Sequence, residues 1–296
     1  MSKPFLIVAF LLLAVSRLFC VASIAQENAA TSDEGLSKKA ANEPVYPLAL
    51  CLDGDSIYVV DLDLPGVWKA GAERQLFIRG SKYLRKPLNR PRCVIMHPAG
   101  GILVADSATR DIYHIAESSD EPIANDAVGL TEGHIGIPMA MAISADKKTL
   151  YVGDAEKRAT FKLPIDGGSP ELVARVNARG FAWADNNTLL AVTPDANAVV
   201  KINVETGEAT PLITERPYQY PNGIVWSGDE GYVTDGYGKA IWKFSLDGKT
   251  EKWHEGEPLV GPVGIAISDD LLFVADPKQK QIYQFDRKSK EAKGRF

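Results

Sequence analysis

Short apolar runs, separated by turn-forming residues, recur along the chain from about Pro47 to the C-terminus. In one of them, Ile102–Ala105 precedes Asp106, and another apolar run starts six residues later at Ile112. Runs of this length between turn signals are typical of β-strands. This arrangement of an apolar run, one polar residue and a second apolar run occurs six times. We call the polar residue the anchor, and the six anchors are Asp61, Asp106, Asp154, Thr193, Asp235 and Asp276. These anchors lie 39 to 48 residues apart, which is the spacing of four-stranded propeller blades.

Each anchor has an apolar partner run upstream, which we interpret as the innermost strand of a blade. These runs begin at Pro47, Pro91, Pro138, Ala178, Pro221 and Pro262. Their third residue is small, which permits inner strands to approach one another closely around an axis. Turn-formers such as Asp53-Gly54-Asp55 follow and predict a hairpin to the second strand. A third strand and a polar fourth strand complete each unit, and charge on an outermost strand discourages aggregation.

This order of strands predicts an all-β fold, a six-bladed β-propeller of four-stranded antiparallel blades over residues 45–296. No stretch beyond the N-terminus sustains helical periodicity. A two-sheet sandwich is the alternative, but six near-equal copies favour radial repetition. The last blade is predicted to use Glu291–Phe296 as its outer strand, so that blade 6 packs on blade 1 without strand exchange. Leu36–Glu43 is left as a candidate additional edge strand.

The N-terminus has the features of a secretory signal peptide over residues 1–25. Lys3 supplies a positive charge, Phe5–Val15 is an unbroken apolar run, and small residues end at Ala25. Cleavage is therefore predicted before Gln26. The alternative is an uncleaved anchor, but Arg17 interrupts the apolar span and leaves a segment too short to cross a bilayer.

Composition limits the environment and the partners. Residues 26–44 are polar and lack apolar bulk, which predicts a flexible linker. We expect a secreted or periplasmic protein without stable membrane insertion after cleavage. The net charge of -5 gives no support for a nucleic-acid partner. Cys51 and Cys93 remain after cleavage, and buried free thiols are favoured over a bridge between them.

One blade carries a family resemblance. Pro221–Ser227 followed by Gly231–Asp235 resembles the signature blade of the senescence marker protein and gluconolactonase family. The order of proline, small or variable residue and apolar run also resembles NHL repeats. The resemblance covers about Pro47 to Phe285 and implies a six-bladed fold. Many functions share this scaffold, so the fold alone does not imply an activity.

For the lactonases of that family, the resemblance implies a divalent cation in the central channel, held by oxygen ligands from several inner strands. Only Asn222 matches this ligand set clearly. Apolar residues stand at the corresponding positions of three other blades, namely Leu48, Met139 and Val263. A hard cation needs several converging oxygen donors. We therefore predict no metal site and no cofactor, with Ca²⁺ or Zn²⁺ retained only if the chain is a lactonase.

A ring of residues replaces that ligand set. The residue after each blade-opening position is expected to project toward the axis, and the six are Leu48, Arg92, Met139, Arg179, Asn222 and Val263. Because arginine offers a fixed fork of donors suited to carboxylate or phosphate, Arg92, Arg179 and Asn222 are a candidate anion-binding mouth. The alternative is that both arginines pair with nearby acids on the rim.

Other conspicuous residues fit structural roles. The repeated aspartates can accept hydrogen bonds from turn N–H groups. The aromatic residues at one repeat position, Trp68, Tyr113, Phe161, Trp242 and Tyr283, are predicted to pack between blades. The chain is thus predicted to be an exported ligand-binding or protein-interaction module, with a small anionic ligand or a protein as its partner. The alternative function is a metal-dependent lactonase or hydrolase with a diverged cation site.

Overall fold

The structure, a computed structural model, describes residues 43–83, 88–116 and 128–296. The stretch Pro44–Phe296 is one compact unit. The predicted signal peptide, nearly all of the predicted linker and the candidate edge strand lie outside the described residues. Within the described ranges, no helix is long and apolar enough to span a membrane.

All regular structure in the described part of the chain is β-strand. The first eight strands are β1 (Pro47–Asp53), β2 (Ser56–Asp61), β3 (Gly66–Ala70), β4 (Arg74–Arg79), β5 (Pro91–Met96), β6 (Ile102–Asp106), β7 (Asp111–Ile115) and β8 (Val128–Gly129). The next eight are β9 (Pro138–Ile143), β10 (Thr149–Asp154), β11 (Ala159–Pro164), β12 (Glu171–Ala174), β13 (Gly180–Trp183), β14 (Thr188–Val192), β15 (Val199–Asn203) and β16 (Ala209–Ile213). The last eight are β17 (Pro221–Ser227), β18 (Glu230–Asp235), β19 (Ala240–Phe244), β20 (Thr250–Glu255), β21 (Ile265–Ser268), β22 (Leu271–Asp276), β23 (Gln281–Asp286) and β24 (Ala292–Gly294).

The strands form six sheets, each built from four strands that are consecutive in the chain. Neighbouring strands within every sheet pair antiparallel. Each sheet is one blade, so the predicted six-bladed propeller of four-stranded blades is confirmed. The outer strand of the last blade is shorter than predicted, since β24 pairs over three residues only.

The six inner strands form a closed ring. Successive inner strands contact one another, and β1 contacts both β5 and β21. Small residues permit this approach, because a Cβ added at Gly264 would come to 2.7 Å from the carbonyl oxygen of Leu48 in blade 1. At the outer side, the ring of Trp68 meets that of Phe296 edge-on at 6.2 Å. Blade 6 therefore closes on blade 1 as predicted, and no described strand is exchanged between blades.

The apolar core lies between the blades. One cluster joins Tyr58 of β2 with Val94 of β5 and Ile115 of β7, and comparable clusters fill later interfaces. Burying side chains of this size contributes about 1.5–3 kcal/mol each. The predicted interblade aromatics behave accordingly: two are buried and three pack against these clusters half-buried, the full set being Trp68, Tyr113, Phe161, Trp242 and Tyr283.

The repeated aspartates hold each blade to its entry loop. Asp106 is fully buried, and one of its oxygens accepts the N–H groups of Asn89 and Arg90 at 2.6 and 2.7 Å. Its other oxygen accepts the N–H groups of Ala108 and Thr109, both at 2.9 Å. The same arrangement of entry loop and turn recurs at Asp61, Asp154, Asp235 and Asp276. Their predicted structural role is confirmed.

Two cysteines sit on neighbouring inner strands, and both Cys51 and Cys93 are free thiols. The Sγ atom of Cys51 donates to Sδ of Met96 at 3.7 Å. Burial raises the pKa of both thiols, that of Cys93 to about 12. The prediction of free rather than bridged cysteines is confirmed.

Candidate functional site

The inner strands surround an axial cavity of about 260 Å³. All six ring residues expected from the repeat line it, namely Leu48, Arg92, Met139, Arg179, Asn222 and Val263. They come from six different blades and from positions up to 215 residues apart in the chain. The structure thus brings the three predicted site residues, Arg92, Arg179 and Asn222, to one cavity.

A bulge in the inner strand marks most of these positions. The pairing of the first and second strands skips Leu48, Arg92, Met139 and Asn222 in their respective blades. A β-bulge leaves a residue outside the ladder and redirects its side chain. The blade-opening residue therefore stays in register, while the residue after it is released from strand pairing at the cavity wall.

Arg92 is half-buried, and its cation has no acidic partner among the residues that the structure describes. Its Nε donates to Oγ of Ser107 at 3.1 Å, and that hydroxyl donates to the carbonyl oxygen of Arg90. Burial lowers the pKa of the Arg92 guanidinium, and the charges of Arg90 and Arg179 lower it further, whereas Asp106 opposes them. The charged form of Arg92 is thus held in an environment that penalises it, which an additional anion would relieve.

Arg179, the second arginine of the ring, is held in place by a backbone hydrogen bond. Its backbone N–H donates to the carbonyl oxygen of Val192 at 2.8 Å. Across residues 43–83, 88–116 and 128–296, neither Arg179 nor Arg92 has a carboxylate oxygen within 4.0 Å. The alternative expectation, in which both arginines pair with nearby acids, is therefore not found in the part of the chain that the structure describes.

Asn222 completes the polar part of the rim. Its Nδ2 donates to the carbonyl oxygen of Tyr220 at 3.1 Å. The described residues provide no partner for its Oδ1, and the half-buried side chain lines the same cavity as the arginines. Arg92, Arg179 and Asn222 together supply N–H donors and two positive charges, which suits an oxyanion.

Two tyrosines at the mouth were missed by the sequence reasoning. Tyr46 and Tyr220 line the cavity and immediately precede the blade-opening prolines of β1 and β17. Tyr220 is 48% exposed and stacks on Tyr237, which is 64% exposed, with ring centroids 4.7 Å apart. Burial raises the pKa of Tyr46, which stays a neutral donor near pH 7. The sequence does contain a feature that could have identified them, because only in these two blades does an aromatic residue precede the blade-opening proline.

The cavity does not fit a divalent cation. Asn222 contributes the only side-chain amide oxygen among its described lining residues, which include no carboxylate and no histidine. Ca²⁺ requires six to eight oxygen ligands, and zinc sites use several nitrogen, sulfur or carboxylate ligands. Two guanidinium groups on the same wall would repel a cation. Elsewhere among the described residues, no cluster of three or more histidine, cysteine or acidic side chains forms a candidate metal site.

A second hollow, open and about 860 Å³ in volume, lies at the opposite ends of the strands in blades 5 and 6. Four of its six charged lining groups already pair with one another: Arg287 contacts Glu230 at 2.6 Å, and Lys243 contacts Glu251 at 2.9 Å. Such compensated charges have little to gain from a ligand. The smaller axial cavity, where the arginines lack acidic partners, is therefore the better candidate site.

Comparisons with known proteins establish the fold. No protein-family model matches the chain. No curated protein sequence matches it either. Among solved structures, a gluconolactonase from Xanthomonas campestris is 13% identical with a TM-score of 0.66, covering 82% of this chain and 86% of that one. Virginiamycin B lyase from Staphylococcus aureus is 13% identical with a TM-score of 0.63, covering 86% and 85%.

A chain of a nidogen/laminin complex is 18% identical with a TM-score of 0.62, covering 74% of this chain and 84% of that one. Identities this low establish shared architecture and leave activity open. The expected resemblance to gluconolactonase-like and NHL-repeat propellers is confirmed at the level of the fold. This chain is a six-bladed β-propeller, with an architecture that enzymes and interaction modules share.

Proposed function

We propose that this chain is an exported binding protein whose axial cavity holds a small anionic ligand between Arg92, Arg179 and Asn222. The observation that carries the proposal is a pair of guanidinium groups without acidic partners, on a cavity with no carboxylate among its described lining residues. This is unusual in a chain of net charge -5. A carboxylate or phosphate group matches the planar donor fork of arginine, and charge-assisted hydrogen bonds are the strong ones.

Titration calorimetry with sodium phosphate, citrate and hexanoate tests this proposal. The informative variant is Arg92→Met with Arg179→Met, which removes both charges and keeps long side chains. Hydrogen bonds to charged groups contribute about 1.5–3 kcal/mol each. The double variant should therefore bind the best anion at least about 100-fold more weakly.

The matched control is Arg175→Met with Arg216→Met, because both arginines are exposed and outside the cavity. It changes the net charge of the protein by the same amount. Binding should stay within about twofold of the unmodified protein. Equal loss of affinity in both variants, or no binding of any anion to the unmodified protein, would refute the proposal.

Export is the second part of the proposal, supported by the signal-like residues 1–25. Expression of the full chain in a bacterium with a periplasm should release a protein that begins at Gln26. Intact mass measurement of the exported fraction checks this. A retained N-terminus, or a chain confined to the cytoplasm, would contradict export without affecting the cavity proposal.

A metal-dependent lactonase is the alternative function, suggested by the gluconolactonase neighbour. The donor set of the cavity argues against it, since Asn222 is the only clear match to the ligands expected from that resemblance. Metal analysis and lactone hydrolysis with and without chelator decide between the two. Stoichiometric Ca²⁺ or Zn²⁺ with chelator-sensitive turnover would replace the binding proposal by the enzymatic one.

A further inference from the structure

The polar side chains of the axial cavity are confined to its mouth. Beyond two arginines, one asparagine and two tyrosines, every described lining side chain is apolar or is that of a glycine. Further along the inner strands from the ring positions, the lining side chains form what we call the apolar floor: Leu50, Val94, Ile95, Met141, Phe181, Ile224 and Ile265. Most of them also pack in the core between blades. A purely polar anion would use the mouth and make no contact with this apolar floor.

The six ring residues at the rim of the cavity are also divided into a polar group and an apolar group. In ring order, Arg92, Arg179 and Asn222 occupy one arc, and Met139 lies between the two arginines. Val263 and Leu48 are neighbours across the contact between β21 and β1 and form an apolar arc. A ligand held at the polar arc therefore has apolar surface both opposite its charge and beneath it.

Between rim and floor lies a collar of small residues. They are Ala49, Cys93, Ala140, Gly180, Gly223 and Gly264. Close approach of the strands demands them, because a Cβ at Gly180 or Gly223 would come within 2.8 Å of a carbonyl oxygen of the next blade. Since these side chains project little into the cavity, an unbranched chain can pass from the mouth to the apolar floor.

We infer that the ligand is an amphipathic monocarboxylate, with its carboxylate at Arg92 and Arg179 and an apolar chain directed toward Ile224 and Ile265. This inference rests on the proposed function and narrows the class of anion. At about 30 Å³ for each water-sized group, the cavity of about 260 Å³ admits roughly nine non-hydrogen atoms. The expected occupant is thus a carboxylate of about six to eight carbons.

A chain-length series tests this, with acetate, butyrate, hexanoate, octanoate and decanoate titrated below their micelle concentrations. Each buried methylene should tighten binding about fourfold. The rise should continue to about hexanoate or octanoate and then stop, because the cavity is full. Phosphate and citrate should bind more weakly than octanoate, since they leave the apolar floor unused.

Phe181→Ala provides a second readout, because it enlarges the apolar part of the cavity. The best chain should become longer by about two methylenes. Phe161→Ala is the matched control, since Phe161 is also half-buried but lies outside the cavity. It should leave the chain-length profile unaltered.

The outcomes separate the two levels of the proposal. Arginine-dependent binding with no dependence on chain length would overturn the amphipathic ligand and retain the anion site. Chain-length dependence that persists in Arg92→Met with Arg179→Met would indicate an apolar site and overturn both. If Phe181→Ala fails to fold, the chain-length series on the unmodified protein still decides the inference.

Discussion

Asp106 provides a quantitative test of how the propeller is held together. Its carboxylate is fully buried and accepts four backbone N–H groups, two from the loop that enters β5 and two from the turn after β6. Replacement by alanine leaves all four donors without this acceptor. At about 1 kcal/mol for each hydrogen bond lost, Asp106→Ala should lower the free energy of unfolding by about 4 kcal/mol.

Blade 4 supplies the internal control, because Thr193 stands where the other blades have aspartate. Its hydroxyl accepts one N–H, from Asp195 at 3.1 Å, and donates to the carbonyl oxygen of Asn197 at 2.7 Å. Thr193→Ala should therefore lower the free energy of unfolding by about 2 kcal/mol. Asp106→Asn, which keeps one acceptor oxygen, should fall between the two alanine variants.

Urea unfolding followed by circular dichroism measures these differences. With an m-value of about 3 kcal/mol/M for a chain of this size, the midpoint should drop by about 1.3 M in Asp106→Ala and about 0.7 M in Thr193→Ala. Equal shifts in the two alanine variants would refute the reasoning, since their hydrogen-bond inventories differ. The entry loop also leads to Arg92, so anion affinity should fall in Asp106→Ala and not in Thr193→Ala.

Three further outcomes follow from named contacts. Hydrogen bonds from Tyr232 and Arg287 lower the pKa of Glu230 although burial opposes this shift, so its stabilising effect is present at neutral pH and is lost as pH falls through that pKa. Glu230→Gln should thus be less stable by about 1 kcal/mol at pH 7 after solvent screening, and the difference between the urea midpoints should narrow as the pH falls through that pKa; a gap independent of pH would contradict this. Gly264→Val should place a Cβ against blade 1 and lower the thermal midpoint by several degrees; an unchanged midpoint would mean that ring closure tolerates the added bulk. Because burial raises the pKa values of the Cys51 and Cys93 thiols, which are half-buried, a thiol reagent at pH 8 should label both much more slowly in native protein cleaved before residue 26 than in guanidinium chloride; equal labelling rates in the two conditions would contradict this.

The repeat was readable from the sequence because its signals are local. An aspartate that caps its own turn, a proline that opens the inner strand and a small residue two positions later each solve a problem within one blade. Repetition at nearly constant spacing then gives six equivalent strands around an axis. Residues such as Arg92 and Arg179 could therefore be placed at one cavity from their position in the repeat.

The remaining details depend on contacts between blades and were not readable. Whether Arg92 pairs with an acid depends on which groups neighbouring blades bring near it. Its observed partner Ser107 lies 15 residues further along the chain and in no motif. The bulge that releases Asn222 from strand pairing is a shift in the pairing of β17 with β18, and no particular residue type in the sequence marks its position. Tyr46 and Tyr220 line the mouth from positions that precede the inner strands on which the repeat is based.

If the axial cavity is an anion site, a carboxylate binds between two arginines contributed by different blades. A crystal structure of the protein grown with octanoate would show whether it does. We predict the carboxylate within hydrogen-bond distance of the guanidinium groups of Arg92 and Arg179, with the alkyl chain against Ile224. Octanoate bound at another surface, or a cavity occupied only by water at saturating octanoate, would contradict the account.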